Sequence, residues 1–447
     1  MNVKTLKLQK MNLDGAKYLS LTGNNSNTKA IGNDEVGLFK IDEQGNMTTV
    51  VLSCTEEEDG TVTRTRTDIK VTPRFIYSLS GIYTFMEGCY FTDGEGNSVW
   101  MKQYYEPEAW DFNILVRNSD GAIFYIPQSL SDTYFRSANY YNLERTVTDS
   151  RENLYLFSLS DNGNLGMVTT QNGELVLKQI NPNGVRLNSG GNLIPFENGT
   201  VMVADENMRS FSCDLFYPNG GFEHFDGTAD GIISVTNLAS GPKAVKVSEG
   251  VTVGDKTECI VSLCDFYVGS SYGDHTLSAP IASLSSGTDY TTNNPQAPDY
   301  LDWLSKYEAN AMWLQGVYET TNMFIIGQTL VMDKRTMEIR PLEGTESYII
   351  FPNANNTYKG LAWNVGSWGA SWYDIETMQY GEVDFNLPSD FQINKETANI
   401  PSGKLVLSGT RYADGKSVTY FVDIETGGYV CTESDSKRPI TALVPLN

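Results

Sequence analysis

The chain has 447 residues, with 32 Lys and Arg against 55 Asp and Glu, a formal charge of −23. A surface of that sign repels nucleic-acid phosphates and anionic lipid headgroups, so no nucleic-acid partner is expected. Only 19% of residues are charged, while 11% are aromatic and there are 40 Gly and 25 Tyr; this excludes a disordered acidic chain and fits a turn-rich, aromatic-rich β protein.

The opening segment alternates Lys4, Lys7 and Lys10 with Val3, Leu6 and Leu8. No apolar run long enough for a signal peptide or a membrane span follows, so no direct membrane span is expected. Low charge with many Asn, Thr, Ser, Tyr and Gly fits an extracytoplasmic protein, in the periplasm or at the cell surface, whose signal segment is absent from this chain; a cytoplasmic place stays open. The six cysteines are scattered over a chain large enough to fold without staples, and free buried thiols are expected.

Strand-like runs joined by short polar turns begin at residues 37–41, which turn at Asp42-Glu43-Gln44-Gly45 into 46–52. After a strand at 82–86 comes a long insertion, 87–112, containing Asp93, Glu95, Trp100, Tyr104, Tyr105 and Trp110. The next hairpin turns at Ser119-Asp120-Gly121, and the connection 128–142 that follows it carries Arg136. Two further hairpins turn at Gln171-Asn172-Gly173 and Pro218-Asn219-Gly220, and a weaker one involves 259–266. A second insertion, 269–310, is rich in Gly, Ser and Pro until Asp299, which as N-cap before Tyr300, Leu301, Trp303, Leu304 and Tyr307 predicts one short helix.

The C-terminal part states the repeat most plainly. Tyr373-Asp374-Ile375-Glu376-Thr377 recurs 49 residues later as Val422-Asp423-Ile424-Glu425-Thr426, and Met332-Asp333-Lys334-Arg335-Thr336 lies 41 residues earlier. Each copy sits between two β-rich runs, and each asks for one turn in which Asp accepts backbone N–H bonds and Thr closes the other side. Two more strands precede most of these hairpins, as at 191–196 with 200–204. Four-stranded units at this spacing predict a β-propeller of antiparallel blades, eight in number with seven as the alternative, forming one domain over 1–447. A terminal strand, 3–9 or 440–446, should close the ring. The runs Leu38-Phe39-Lys40-Ile41-Asp42 and Ile114-Leu115-Val116-Arg117-Asn118-Ser119-Asp120-Gly121 resemble the propeller lipoproteins of gut Bacteroidota surfaces. The resemblance covers nearly the whole chain as a pattern, implies the fold, and carries over no functional residue.

Chemical motifs fail in context. Gly269-Ser270-Ser271-Tyr272-Gly273 matches a nucleophile elbow, but no helix follows Ser271 and no histidine lies beyond His275 to complete a triad. Gly409 to Ser417 resembles a P-loop but leads into a strand. Asp93-Gly94-Glu95-Gly96-Asn97 lacks the later ligands of a calcium loop, and two distant histidines make no zinc site, so neither metal nor cofactor is expected. With no catalytic residue assignable, the expected function is non-catalytic binding of a glycan or another extracytoplasmic ligand. A carboxylate-based polysaccharide enzyme and a protein–protein scaffold are the alternatives. Loop aromatics that stack on sugar faces, with polar neighbours for the hydroxyls, make Trp100, Tyr104, Tyr105, Trp110 and Trp368 the candidate platform and Asp93, Glu95 and Arg136 its polar partners. Their place would be the face formed by the second–third and fourth–first strand connections. A plug sealing the channel is the competing role for the 87–112 aromatics. Trp363 and Trp372 are expected in the core.

Overall fold

The computed structural model describes residues 4–22, 37–58, 62–96, 112–126, 134–135, 145–157, 164–172, 174–181, 192–207, 210–253, 256–285, 314–327, 329–342, 361–375, 377, 379–399, 403–434 and 440–446. Strands in these residues fall into eight sheets that follow chain order, with every pairing antiparallel, and Thr228–Asp230 forms a single-turn 3-10 helix. The fourth sheet shows the pattern: Asn192–Pro195, Val201–Asn207, Ser210–Phe216 and Phe222–Asp226 pair in that order. The third runs Val147–Thr148, Leu154–Phe157, Leu165–Gln171, Glu174–Gln179, and the sixth Val317–Glu319, Met323–Ile326, Leu330–Asp333, Ile339–Pro341. The eighth runs Phe391–Asn399, Lys404–Arg411, Ser417–Asp423, Tyr429–Ser434, and the described strands of the seventh are Leu361–Val365, Gly369–Asp374 and Tyr380–Asp384.

Packing between sheets shows that they form a closed ring. Leu156 and Val168 of the third sheet share a core with Phe85 and Leu115 of the second, while Tyr155 and Phe157, on the opposite side of the same strand, pack with Val201 and Val203 of the fourth. This alternation follows from the period of two along a strand: each sheet is apolar on both faces and buries one against each neighbour. The sequence of shared cores continues through fourth–fifth, fifth–sixth, sixth–seventh and seventh–eighth. It returns to its start where Val406 and Phe421 of the eighth sheet meet Tyr18 and Ile41 of the first. First strands adjoin one another around the axis: Gly316 N donates to Ser234 Oγ at 3.1 Å, Val317 N to Thr236 Oγ1 at 3.0 Å, and Asn237 Nδ2 to the Pro195 carbonyl at 2.8 Å. The chain is therefore an all-β propeller.

Ring closure uses the C-terminal strand. Ile440–Pro445 pairs with Ala16–Thr22, which pairs with Gly37–Asp42 and then Met47–Thr49. Lys4–Leu8 instead pairs with Val51–Glu58, and with Val62–Thr72 makes an extension of the second sheet, whose ring strands are Phe75–Leu79, Tyr83–Thr92, Phe112–Arg117 and Ile123–Ile126. The strand expected over 46–52 is thus two. It stops before Val50, which is buried, and the chain turns so that Leu52 and Cys54 enter the core between the first and second sheets. Residues 87–92, expected in an insertion, continue a strand, because Tyr90, Phe91 and Thr92 pair with Thr72, Val71 and Lys70. In the fifth sheet Ile232–Leu238, Gly241–Val253 and Lys256–Val268 pair in turn, and His275–Leu277 and Ala282–Ser285 share the edge of the last, so the stretch from 269 opens as sheet. The helix expected from Asp299 lies outside the described residues. Trp363 is buried, and Trp372 is partly buried against the same core.

Candidate functional site

The second–third turn of the seventh sheet is Gly366-Ser367-Trp368, closed by Gly366 N donating to the Gly369 carbonyl at 2.9 Å. Phe385 N donates to the Trp368 carbonyl at 3.1 Å, and the Trp368 ring lies 5.8 Å from that of buried Phe391. With its backbone tied and one flank packed, the indole still leaves 50% of the residue exposed. Beside it, Ser367 Oγ donates to Glu396 Oε2 at 2.5 Å.

The corresponding turn of the eighth sheet, residues 411–416, presents Tyr412 at 69% exposure. Arg411 grips Asp414 with two bonds, Nε to Oδ1 at 3.1 Å and Nη2 to Oδ2 at 2.6 Å, and reaches Glu433 with Nη1 at 2.5 Å. The fork geometry of guanidinium on carboxylate fixes the turn, and the guanidinium holds the Asp414 carboxyl down at about 2. Tyr412 N donates to the Asp390 carbonyl at 2.7 Å. Trp368 and Tyr412 are therefore both anchored on one connection, residues 385–391, which joins the seventh sheet to the eighth. Asn386 and Asp390, both exposed, lie on that connection. The arrangement can offer two flat rings to a ligand with apolar faces, with amide and carboxylate groups within the same loop cluster.

Of the residues singled out from sequence, Trp368 occupies this site. Asp93 and Glu95 form a turn after Tyr83–Thr92 in which Glu95 N donates to Asp93 Oδ1 at 3.0 Å, and in the ring the eighth and first sheets stand between that turn and Trp368. Trp100, Tyr104, Tyr105, Trp110 and Arg136 lie outside the described residues. Tyr412 lies in the segment that resembles a P-loop but leads into a strand, a hairpin turn for which no binding role is expected. The signal was its place in the last repeat, at the turn equivalent to Trp368.

The two histidines serve the frame. His224 Nδ1 faces Asp214 Oδ1 at 2.9 Å on a strand surface. His275 Nδ1 faces Glu223 Oε1 at 2.5 Å, and Gly273 N donates to Glu223 Oε2 at 2.6 Å. Thr200 Oγ1 and Asn198 Nδ2 donate to the carbonyls of Gly269 and Val268, both at 2.7 Å. These bonds sew the third–fourth hairpin of the fifth sheet to the fourth sheet, so the G-x-S-x-G run is a turn, with Asp274 N bonded to the Ser271 carbonyl. None of the six cysteines is in a disulfide; five are buried and Cys431 is exposed. Among the described residues no group of three or more His, Cys, Asp or Glu could hold a metal ion.

No protein-family model and no curated protein matches the chain. Solved structures that align with it include a quinonprotein alcohol dehydrogenase-like protein from Bacteroides thetaiotaomicron, at 10% identity over 100% of this chain and 95% of that one, TM-score 0.30. Virginiamycin B lyase from Staphylococcus aureus aligns at 12% identity over 81% and 95%, TM-score 0.27. The apocarotenoid oxygenase of Synechocystis aligns at 10% over 100% and 95%, TM-score 0.31.

Proposed function

We propose that this propeller is a non-catalytic binding protein of the periplasm or cell surface, of the lipoprotein type, that takes a glycan on the face formed by the second–third and fourth–first connections. The observation that carries the reading is the exposure of Trp368 and Tyr412 on two braced turns that meet at one connection. Sugar rings present C–H faces that stack on such aromatics at about 1 kcal/mol per contact, and in this reading exposed Asp390 and Asn386 accept from and donate to hydroxyls. Trp100, Tyr104, Tyr105 and Trp110, with Asp93, Glu95 and Arg136, extend the platform in this proposal. Among the described residues no helix is long and apolar enough to cross a membrane.

Affinity electrophoresis in gels containing neutral or acidic polysaccharides, with product analysis of the incubated glycan, tests the reading. Trp368→Ala and Tyr412→Ala are each expected to restore free mobility in the retarding gel while leaving the melting temperature unchanged. Release of oligosaccharides would assign the protein to the enzyme alternative, and retardation indifferent to both substitutions would remove the site.

A further inference from the structure

The opposite side of the ring carries an asymmetry that the fold does not require. Third–fourth hairpins are short and polar turns, which suits a solvent face. Yet of the ten large apolar side chains exposed among the described residues, six lie in or beside these hairpins in four consecutive sheets. They are Tyr267 and Tyr272 in the fifth, Met337 in the sixth, Tyr380 in the seventh, and Tyr429 and Val430 in the eighth. In the first four sheets the same hairpins and their outer strands expose only Tyr125 among the described residues. Turn chemistry does not demand them, because the aspartates already cap the turns. Tyr380 and Tyr429 each stand six residues after the turn aspartate, where the sixth sheet has buried Ile339.

Charge along the same arc is one-sided. Lys334 is paired with Glu319 at 2.7 Å, Arg335 with Asp333 at 2.9 Å and Lys404 with Asp423 at 3.1 Å, and half-buried Arg340 gives its Nη2 to the Ile375 carbonyl at 3.1 Å. Glu338, Glu382 and Glu425 are exposed and make no ion pair among the described residues. Protein interfaces favour exposed tyrosine as an anchor, and a guanidinium gains both from the face of a tyrosine ring and from a neighbouring carboxylate.

We infer that the third–fourth hairpin rim of the fifth to eighth sheets is a docking surface for a basic, arginine-bearing polypeptide of a protein partner. A second copy of this chain, at −23, would be repelled. This surface is separate from the Trp368 and Tyr412 face, so the two readings stand or fall independently. The test is fluorescence anisotropy with a labelled peptide alternating arginine and leucine, against a control alternating glutamate and leucine. The arginine peptide should bind and the glutamate peptide should not. Tyr380→Ser with Tyr429→Ser, and separately Glu382→Gln with Glu425→Gln, should each weaken binding by on the order of tenfold, the range of an interface anchor, whereas Trp368→Ala should leave it unchanged. All four positions are exposed, and thermal melts confirm that the variants fold. Absence of binding, equal binding of both peptides, indifference to both double substitutions, or loss with Trp368→Ala would overturn the inference.

Discussion

Asp423 accepts bonds from Thr426 N at 2.9 Å and Thr426 Oγ1 at 2.8 Å, and Thr426 Oγ1 in turn accepts from Gly428 N at 3.3 Å. Asp374 accepts from Thr377 N at 3.1 Å and Asp333 from Arg335 N at 2.7 Å. The Asp and Thr of the repeat therefore do what turn chemistry asks of them, and this was legible because the donors lie two or three residues away in sequence. Asp423→Ala should cost about 0.5–2 kcal/mol, as loss of a helix cap does, and leave ligand binding intact; denaturant melts and glycan binding measured on one variant check both halves. Asp149 is a more buried version. Burial raises its carboxyl, but bonds from the Asn153 side chain and N–H, the Tyr155 hydroxyl and Arg151 N outweigh this and hold it below the usual range. A carboxylate whose folded value is depressed contributes stability above its unfolded value, and that contribution disappears as pH falls through the folded one. With Asp333 and Asp414 down at about 2 against 3.8 for an unperturbed Asp, melting temperature should fall between about pH 4 and pH 2, modestly for these two because water screens them. Asp149→Asn should make that drop shallower in a pH series of thermal melts.

At the scale of the hairpin, each turn is also fitted to its neighbour. Gly45 and Gly427, in third–fourth turns of the first and eighth sheets, both have positive φ, 82° and 70°. A Cβ on Gly45 would lie 2.9 Å from the Phe421 ring, and one on Gly427 only 2.3 Å from the Asp384 carbonyl oxygen. The turn of one sheet thus lies on the third or fourth strand of the sheet before it, and glycine is needed for conformation and for space. Met337 stands four residues after Asp333, as Gly427 does after Asp423, and adopts the same left-handed conformation with φ 61°. Gly427→Ala should destabilise by more than about 1 kcal/mol. Met337→Gly should be stabilising by up to about 1 kcal/mol, because relief of left-handed strain exceeds the added chain entropy; paired urea titrations measure both. Hairpins such as the one turning at Pro218-Asn219-Gly220 could be read from sequence, since the signal is local. The split at Val50 and the pairing of Tyr90 to Thr92 with Lys70 to Thr72 could not, because they depend on which distant strand an edge meets. The place of Tyr412, at the turn equivalent to Trp368 in the last repeat, is local and legible, but its exposure is not. Its exposure follows from the Arg411 and Asp414 clasp and the bond to Asp390, contacts that no spacing announces.

Over the whole molecule, the ring is held shut by one strand with two loyalties. On Ile440–Pro445, Leu443 enters the core shared with the eighth sheet and Val444 the core shared with the second. The same strand covers the edge of Ala16–Thr22 from Tyr18 paired with Pro445 to Thr22 paired with Ile440. A sheet edge left open exposes unpaired backbone groups to other chains, and here it would also open an apolar core on either side. Ring packing makes these losses mutual rather than local, since every sheet leans on two neighbours. Leu443→Ala should cost about 2–5 kcal/mol, the range for a buried leucine, and should lower one cooperative transition seen alike by tryptophan fluorescence and circular dichroism. Truncation before Ile440 should abolish that transition and yield soluble aggregates on size-exclusion chromatography, with a synthetic peptide of residues 440–446 restoring the monomer. A truncated chain that still melts cooperatively at the parent temperature would mean that the first sheet closes without its C-terminal strand, and that the stability of the ring resides in the pairwise cores alone.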